Sequence, residues 1–237
     1  MNRSDTFVDK GNVASITTPP VANPRPYFPS SFAVTESAAG LERIFDDGVS
    51  VCIWRRPADI AVDAYLDKAM PAFGLERTAR ISIADPRFDE LLGGFHGSPD
   101  PSGIVFELGG LVDLFASLTS ADSIGVRLFC GNTRPCPRFH VDRIGLRMVC
   151  TWRGPGTEWI EHGAVNRHFL GGGANRPPDE RSGLLLPGAQ IHQMRPFDIG
   201  VFKGELWPTN GNRGAVHRSP WLPPLAPPRV MVTLDEL

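Results

Sequence analysis

Apolar positions repeat with different periods in the two halves of this chain. Around residues 50–54, Val51, Ile53 and Trp54 suggest a short strand. Asp59 then stands where an N-cap belongs, ahead of a stretch in which Val62, Tyr65, Leu66 and Ala69 share one helical face. Asp85 followed by Pro86 reads as a second N-cap with proline in the first turn, and Gly93-Gly94 ends that helix. Leu111, Leu114, Phe115 and Leu118 mark a third helix, at the i, i+3, i+4, i+7 spacing of an amphipathic stripe. A helical part is therefore expected over about residues 55–120, leaving the first half mostly helical.

From Ile124 onward the period shortens. The runs IGVRLFC, IGLRMVCTW, IGVFK, AVH and RVMVTL follow one another, separated by Gly154-Pro155-Gly156, Gly171-Gly172-Gly173 and the Pro-rich stretch from Pro220 to Pro228. Evenly broken short strands of this kind predict an antiparallel sandwich or open barrel. The expected fold is α+β: a mainly-β double-stranded β-helix of the jelly-roll or cupin-like kind over about residues 124–235, carrying a helical N-terminal layer. Residues 1–30 are polar and broken by Pro19, Pro20, Pro24, Pro26 and Pro29, which reads as a flexible arm before a single domain over 31–237. There is no internal repeat and no glycine-rich phosphate loop.

Composition agrees with a turn-rich β fold. The 237 residues include 25 Gly and 23 Pro, about a fifth of the chain against a usual ~12%. A formal charge of −2 excludes a strongly basic nucleic-acid binder. No run approaches the roughly 18 apolar residues that cross a bilayer, so no membrane anchor is expected. The first residues lack the apolar core of a secretory signal, so Cys52, Cys130, Cys136 and Cys150 read as reduced thiols of a cytoplasmic protein. The spacing of Cys130 and Cys136 does not match a zinc knuckle.

The chemistry gathers in CPRFHVDRIG. His140 and Asp142 stand two apart, so on a strand both side chains project from one face. Under the same alternation Arg143, Gly145 and Arg147 point to the opposite face, outside the barrel. His217 follows much later in NRGAVHRSP, and Arg229 opens the last apolar run. Two imidazoles and one carboxylate suit a mononuclear non-haem Fe(II), because they leave coordination positions open for a co-substrate and O₂. An Arg on the next strand can meet the far carboxylate of a 2-oxo acid through its planar fork.

This order of His-x-Asp, a long gap, His and then Arg is similar to that of the Fe(II)/2-oxoglutarate dioxygenase superfamily. At closer range, the strings CPRFHVDRIGLRMVCTWRGPGTEW, KGELWP and NRGAVHRSP resemble a bacterial family catalogued as domain of unknown function 1826. The family resemblance places His140, Asp142 and His217 inside signature strings and implies no activity by itself. The superfamily resemblance implies Fe(II) and 2-oxoglutarate as cofactors, His140, Asp142 and His217 as ligands, and Arg229 as the co-substrate's partner.

Other residues are candidates for the pocket wall. Glu158 and Trp159 follow the Gly154–Gly156 turn, where Glu158 could contact substrate or stand in for Asp142. Lys203 precedes the hairpin that leads to His217 and offers a cation to an acidic ligand, though a surface position beside Gly204 is the simpler expectation. Cys136 and Cys150 could approach the metal. His96, His162, His168 and His192 fall in turn-rich stretches and are left out of the ligand set. Three functions remain open: an Fe(II)/2-oxoglutarate oxygenase acting on a small molecule or peptide, a cupin-like zinc-binding or metal-dependent hydrolytic protein, and a non-catalytic module binding a small ligand. The same ligand set can hold Zn(II) and activate water. Nucleic-acid and membrane partners are not expected.

Overall fold

A computed structural model describes residues 30–71, 75–93, 95–96, 100–171, 177–208, 210–224 and 226–237. The expected arm over residues 1–30 lies outside them except for Ser30. The strands are β1 Phe32–Thr35, β2 Val51–Trp54, β3 Met70–Pro71, β4 Leu75–Ser82, β5 Phe95–His96, β6 Ser123–Gly131, β7 Leu146–Arg153, β8 Glu158–Ile160, β9 Ile191–Gln193, β10 Ile199–Lys203, β11 Val216–Arg218 and β12 Arg229–Glu236. The α-helices are α1 Ile60–Lys68, α2 Asp89–Leu92 and α3 Ser102–Thr119.

The result is mixed α+β and rich in sheet. A seven-stranded sheet runs β1-β2-β10-β7-β12-β6-β4, and a three-stranded sheet runs β11-β8-β9. Every pairing in these two sheets is antiparallel except β1 with β2.

The pleat of the large sheet sorts its side chains into two cores. Val126 and Leu128 of β6, Met148 and Cys150 of β7, and Val232 and Leu234 of β12 pack with α1 and α3 on one face. The residues between them in sequence, such as Phe129, Val149 and Met231, face Trp159, Met194 and Ala215 beside the small sheet. The molecule is thus layered as helices, large sheet, small sheet. The second interface is where polar and charged side chains also collect.

The first half is less helical than its pattern suggests, because β1, β2 and β4 all join the large sheet. β4 is hidden in the sequence: of LERTARIS only Leu75 and Ile81 are buried, and charged residues occupy much of the rest. That composition suits an edge strand, where exposed charge blocks further pairing. Asp59 does cap α1, its carboxylate accepting from the amides of Ala61 at 2.8 Å and Val62 at 3.2 Å. Asp85 caps nothing comparable, since α2 is a single turn beginning at Asp89. His96 lies in the short strand β5 rather than in a turn. α3 reaches a mean hydropathy of 1.4 over 18 residues, enough by length and composition to cross a membrane. Its Ile104, Leu108, Leu111, Val112 and Phe115 are nevertheless buried against the sheet.

Candidate metal centre

His140 is held by its neighbours rather than by a regular strand. Phe139 beside it is buried with Val216 and Ile160, and the Phe139 amide donates to Asp179 Oδ2 at 2.9 Å. Arg218 lies over the Phe139 ring, 4.1 Å from its centroid. His140 then forms an isolated antiparallel bridge with His217, exchanging two backbone hydrogen bonds of 3.0 Å. His217 sits on β11, whose other edge pairs with β8. The bridge brings the two imidazoles side by side, with ring centroids 4.5 Å apart and the ring planes tilted by 48°.

Asp142 enters from the turn that leads into β7. Its Oδ1 lies 3.4 Å from His140 Nε2, and its Oδ2 lies 3.1 Å from His217 Nε2. One donor atom from each of the three residues falls within 4.8 Å of the others. The far side of each ring is also fixed. His140 Nδ1 donates to the Arg138 carbonyl at 3.0 Å, and His217 Nδ1 donates to the Ala215 carbonyl at 3.1 Å. A carbonyl can only accept, so both Nδ1 atoms carry hydrogen and both Nε2 atoms turn toward Asp142, the arrangement that metal-binding histidines adopt.

Asp142 has a third partner that the strand argument misplaced. Arg147 donates from one terminal nitrogen to Asp142 Oδ2 at 2.6 Å and grips both Asp235 oxygens at 2.6 and 2.7 Å. Strand alternation predicts Arg147 outside the barrel. It faces inward because β7 begins only at Leu146, and the turn over residues 142–145 resets the alternation. Gly204 shapes that turn: a Cβ there would lie 2.2 Å from the Ile144 carbonyl oxygen and 2.8 Å from that of Asp142.

The electrostatics follow from this packing. Burial alone would raise the Asp142 pKa, but hydrogen bonds from His140 and His217 and the charge of Arg147 hold it well below the carboxylate range. Burial works to lower the His140 pKa, yet its contact with Asp142, helped by Cys136 and the Arg138 carbonyl, lifts it to about 10. In the metal-free protein this imidazolium therefore contributes stability that is full below the ordinary value of 6.5 and is lost as pH rises toward about 10. A metal must displace that proton. Metal affinity is expected to rise about tenfold per pH unit across neutral pH for one displaced proton. Calorimetric titration at a series of pH values checks this, and a flat profile would count against it.

Beside the triad lies a narrow cavity lined by His140, His217, Arg147, Val149, Met231 and Arg229. Arg229 is 1% exposed. It donates to the Pro155 carbonyl at 2.9 Å, to Thr151 Oγ1 at 3.0 Å and to Thr157 Oγ1 at 3.2 Å. Among the described residues it has no ion-pair partner. Burial, with Arg127 nearby, pulls its pKa down to about 10 against the weaker opposing pull of the Glu158 carboxylate.

The other candidates are placed elsewhere. Glu158 is engaged by Arg218 at 2.6 Å and does not join the triad. Trp159 is packed in the intersheet core, its ring stacked on His192 at 5.2 Å. Lys203 is buried rather than at the surface, donates to the Asp46 carbonyl at 3.4 Å and lies over Trp207, in a separate pocket. Cys136 lines the cavity and bonds His140, which lowers its pKa. Cys150 lies on the helix side of β7, where burial pushes its thiol up to about 12. Thr151 and Thr157, which hold Arg229, are not among the sequence candidates. Thr151 shares the alternation of Val149, which was the available signal.

Residues 35–235 match the family described as Protein of unknown function (DUF1826), and the chain belongs to that family. No curated protein matches it. Among solved structures, a bsmA homolog from Methylobium petroleophilum is similar at 16% identity and a TM-score of 0.43, covering 84% of this chain and 91% of that one. The rice dioxygenase for auxin oxidation is similar at 14% identity and a TM-score of 0.38, covering 84% and 67%. AviO1 from Streptomyces viridochromogenes is similar at 11% identity and a TM-score of 0.40, covering 85% and 96%.

Proposed function

We propose that the protein is a mononuclear non-haem Fe(II) oxygenase that uses 2-oxoglutarate. In this reading His140, Asp142 and His217 hold the metal, and Arg229 anchors the co-substrate's distal carboxylate. The two facing sheets are then an irregular double-stranded β-helix with the site between them. Two imidazoles and one carboxylate leave half of an octahedral ion's positions open, as such chemistry requires. When bound, Fe(II) and 2-oxoglutarate supply the electrons with which O₂ is activated.

The chain's own residues have separate tasks. The Arg138 and Ala215 carbonyls orient the two rings. Arg147 occupies Asp142 Oδ2, leaving Oδ1 as the better donor. Val149 and Met231 wall the cavity with apolar surface. In this reading the enzyme is cytoplasmic and its substrate is a small molecule or peptide.

The observation that carries this reading is Arg229, a buried guanidinium that forms no ion pair among the described residues and lines the same cavity as the two imidazoles. A hydrolytic zinc site needs no such cation, so this feature favours the oxygenase over the zinc alternative. Arg229→Ala is expected to weaken 2-oxoglutarate binding by about 2–4 kcal/mol, because a buried charge pair loses one member. Metal affinity should stay within about threefold of wild type, since Arg229 is not a ligand. Anaerobic titration of Fe(II)-loaded protein with 2-oxoglutarate reads both quantities. Equal affinity in the variant, or no binding in wild type, would move the assignment to zinc.

A further inference from the structure

A second cavity, of about 290 Å³, adjoins the centre and shares His140 as part of its wall. That volume is at the small end for ligand pockets, which run from roughly 300 to 1,000 Å³. Val141 and Leu170 give it apolar lining, and Arg167 and Glu205 give it two opposite charges. Both charged residues are fixed to the segments that carry the triad. Arg167 donates to the Gly214 carbonyl at 2.6 Å, three residues before His217, and to His162 Nδ1 at 3.1 Å. The Glu205 amide donates to the Asp142 carbonyl at 2.8 Å.

Neither side chain meets an opposite charge among the described residues. Among the described residues, Arg167 and Glu205 form no ion pair, whereas Arg147, Arg218 and Arg56 all do. Burial lowers the Arg167 pKa with nothing offsetting it. A partly desolvated guanidinium in this state favours a carboxylate, whose two oxygens match its fork. An exposed carboxylate lining the same small pocket favours a cationic donor.

We propose that this pocket is the prime-substrate site and takes a small zwitterion of the free α-amino acid class, its carboxylate on Arg167 and its ammonium on Glu205. Calling this ligand the substrate rests on the oxygenase reading; its binding does not. The probes are free L-amino acids together with their N-acetyl and carboxamide derivatives, added to the full-length, metal-free protein and followed by ligand-observed NMR and calorimetry.

Wild type should bind at least one free amino acid at least tenfold more tightly than either derivative. Arg167→Gln should remove that binding, and Arg167→Lys should restore part of it. Glu205→Gln, at an exposed position, should abolish only the preference over the N-acetyl form, which keeps the proposal testable if Arg167 variants fold poorly. Equal binding of all derivatives, no binding of any free amino acid at millimolar concentration, or an unaltered preference in Glu205→Gln would overturn the proposal. A wild type that binds amino acids but no metal would instead overturn the oxygenase reading.

Discussion

Replacing His217 with Ala is expected to abolish stoichiometric Fe(II) binding, lowering affinity by more than about 100-fold, the upper end of what even an outer-shell change costs. The reason lies in how few donors the site has. His140 and Asp142 alone would remain, and Asp142 is already shared with Arg147 at 2.6 Å. Glu158, the nearest acidic residue along β8, is bound to Arg218 at 2.6 Å and is not free to substitute. The fold should survive. The backbone bridge from residue 217 to His140 does not depend on the imidazole, and β11 keeps its pairing with β8. Circular dichroism and anaerobic metal titration on the same sample separate the two effects. Metal binding that persists at one equivalent in a folded variant would mean that another ligand set is in use.

How far this site could be read from the sequence depends on the length scale of the signal. His140, Asp142 and His217 do come together, and the order of motifs along the chain carried that expectation. The reason differs from the one spacing suggested. The pair does not lie on one strand; it meets through a single bridge at His140 and a turn at Asp142. Because alternation does not pass through a turn, the same assumption sent Arg147 to the wrong face. Residues inside regular strands were safer: the odd-numbered positions of β12 from Arg229 to Thr233 all face the cavity. β4 left almost no mark, because an edge strand with charged positions has no apolar alternation to detect. Lys203 shows a further limit, since its burial depends on pairing of β10 with β2 and on the Asp46 carbonyl, both distant in sequence. Arg167 had no local signature, as its role depends on Gly214, 47 residues away.

The largest stability loss is expected on the opposite face of the sheet, at Glu107. This residue falls on the apolar stripe of α3, four residues before Leu111, and is buried. Its carboxylate accepts from both terminal nitrogens of Arg56, one of them at 3.0 Å, and from the Trp152 indole nitrogen at 2.9 Å. Arg56 in turn donates to the Phe197 carbonyl at 2.7 Å, so the network ties α3 to β7 and to the loop before β10. Hydrogen bonding to Glu107 keeps the Arg56 pKa above its ordinary value despite burial. Glu107→Ala would leave the largely buried Arg56 guanidinium without its counter-charge and the buried Trp152 indole N–H without its acceptor. Breaking such a pair costs about 3–5 kcal/mol, a large part of a domain's total stability. Replacing both partners, as in Arg56→Met with Glu107→Leu, should recover most of that loss, because the cost lies in the unpaired charge rather than in the missing attraction. Urea unfolding of the two variants checks this, and a double variant as unstable as Glu107→Ala would contradict it. The network shares no residue with the triad, so the double variant should bind metal as wild type does. A fall in metal affinity there would mean that the helix layer sets the spacing of the two sheets around the centre.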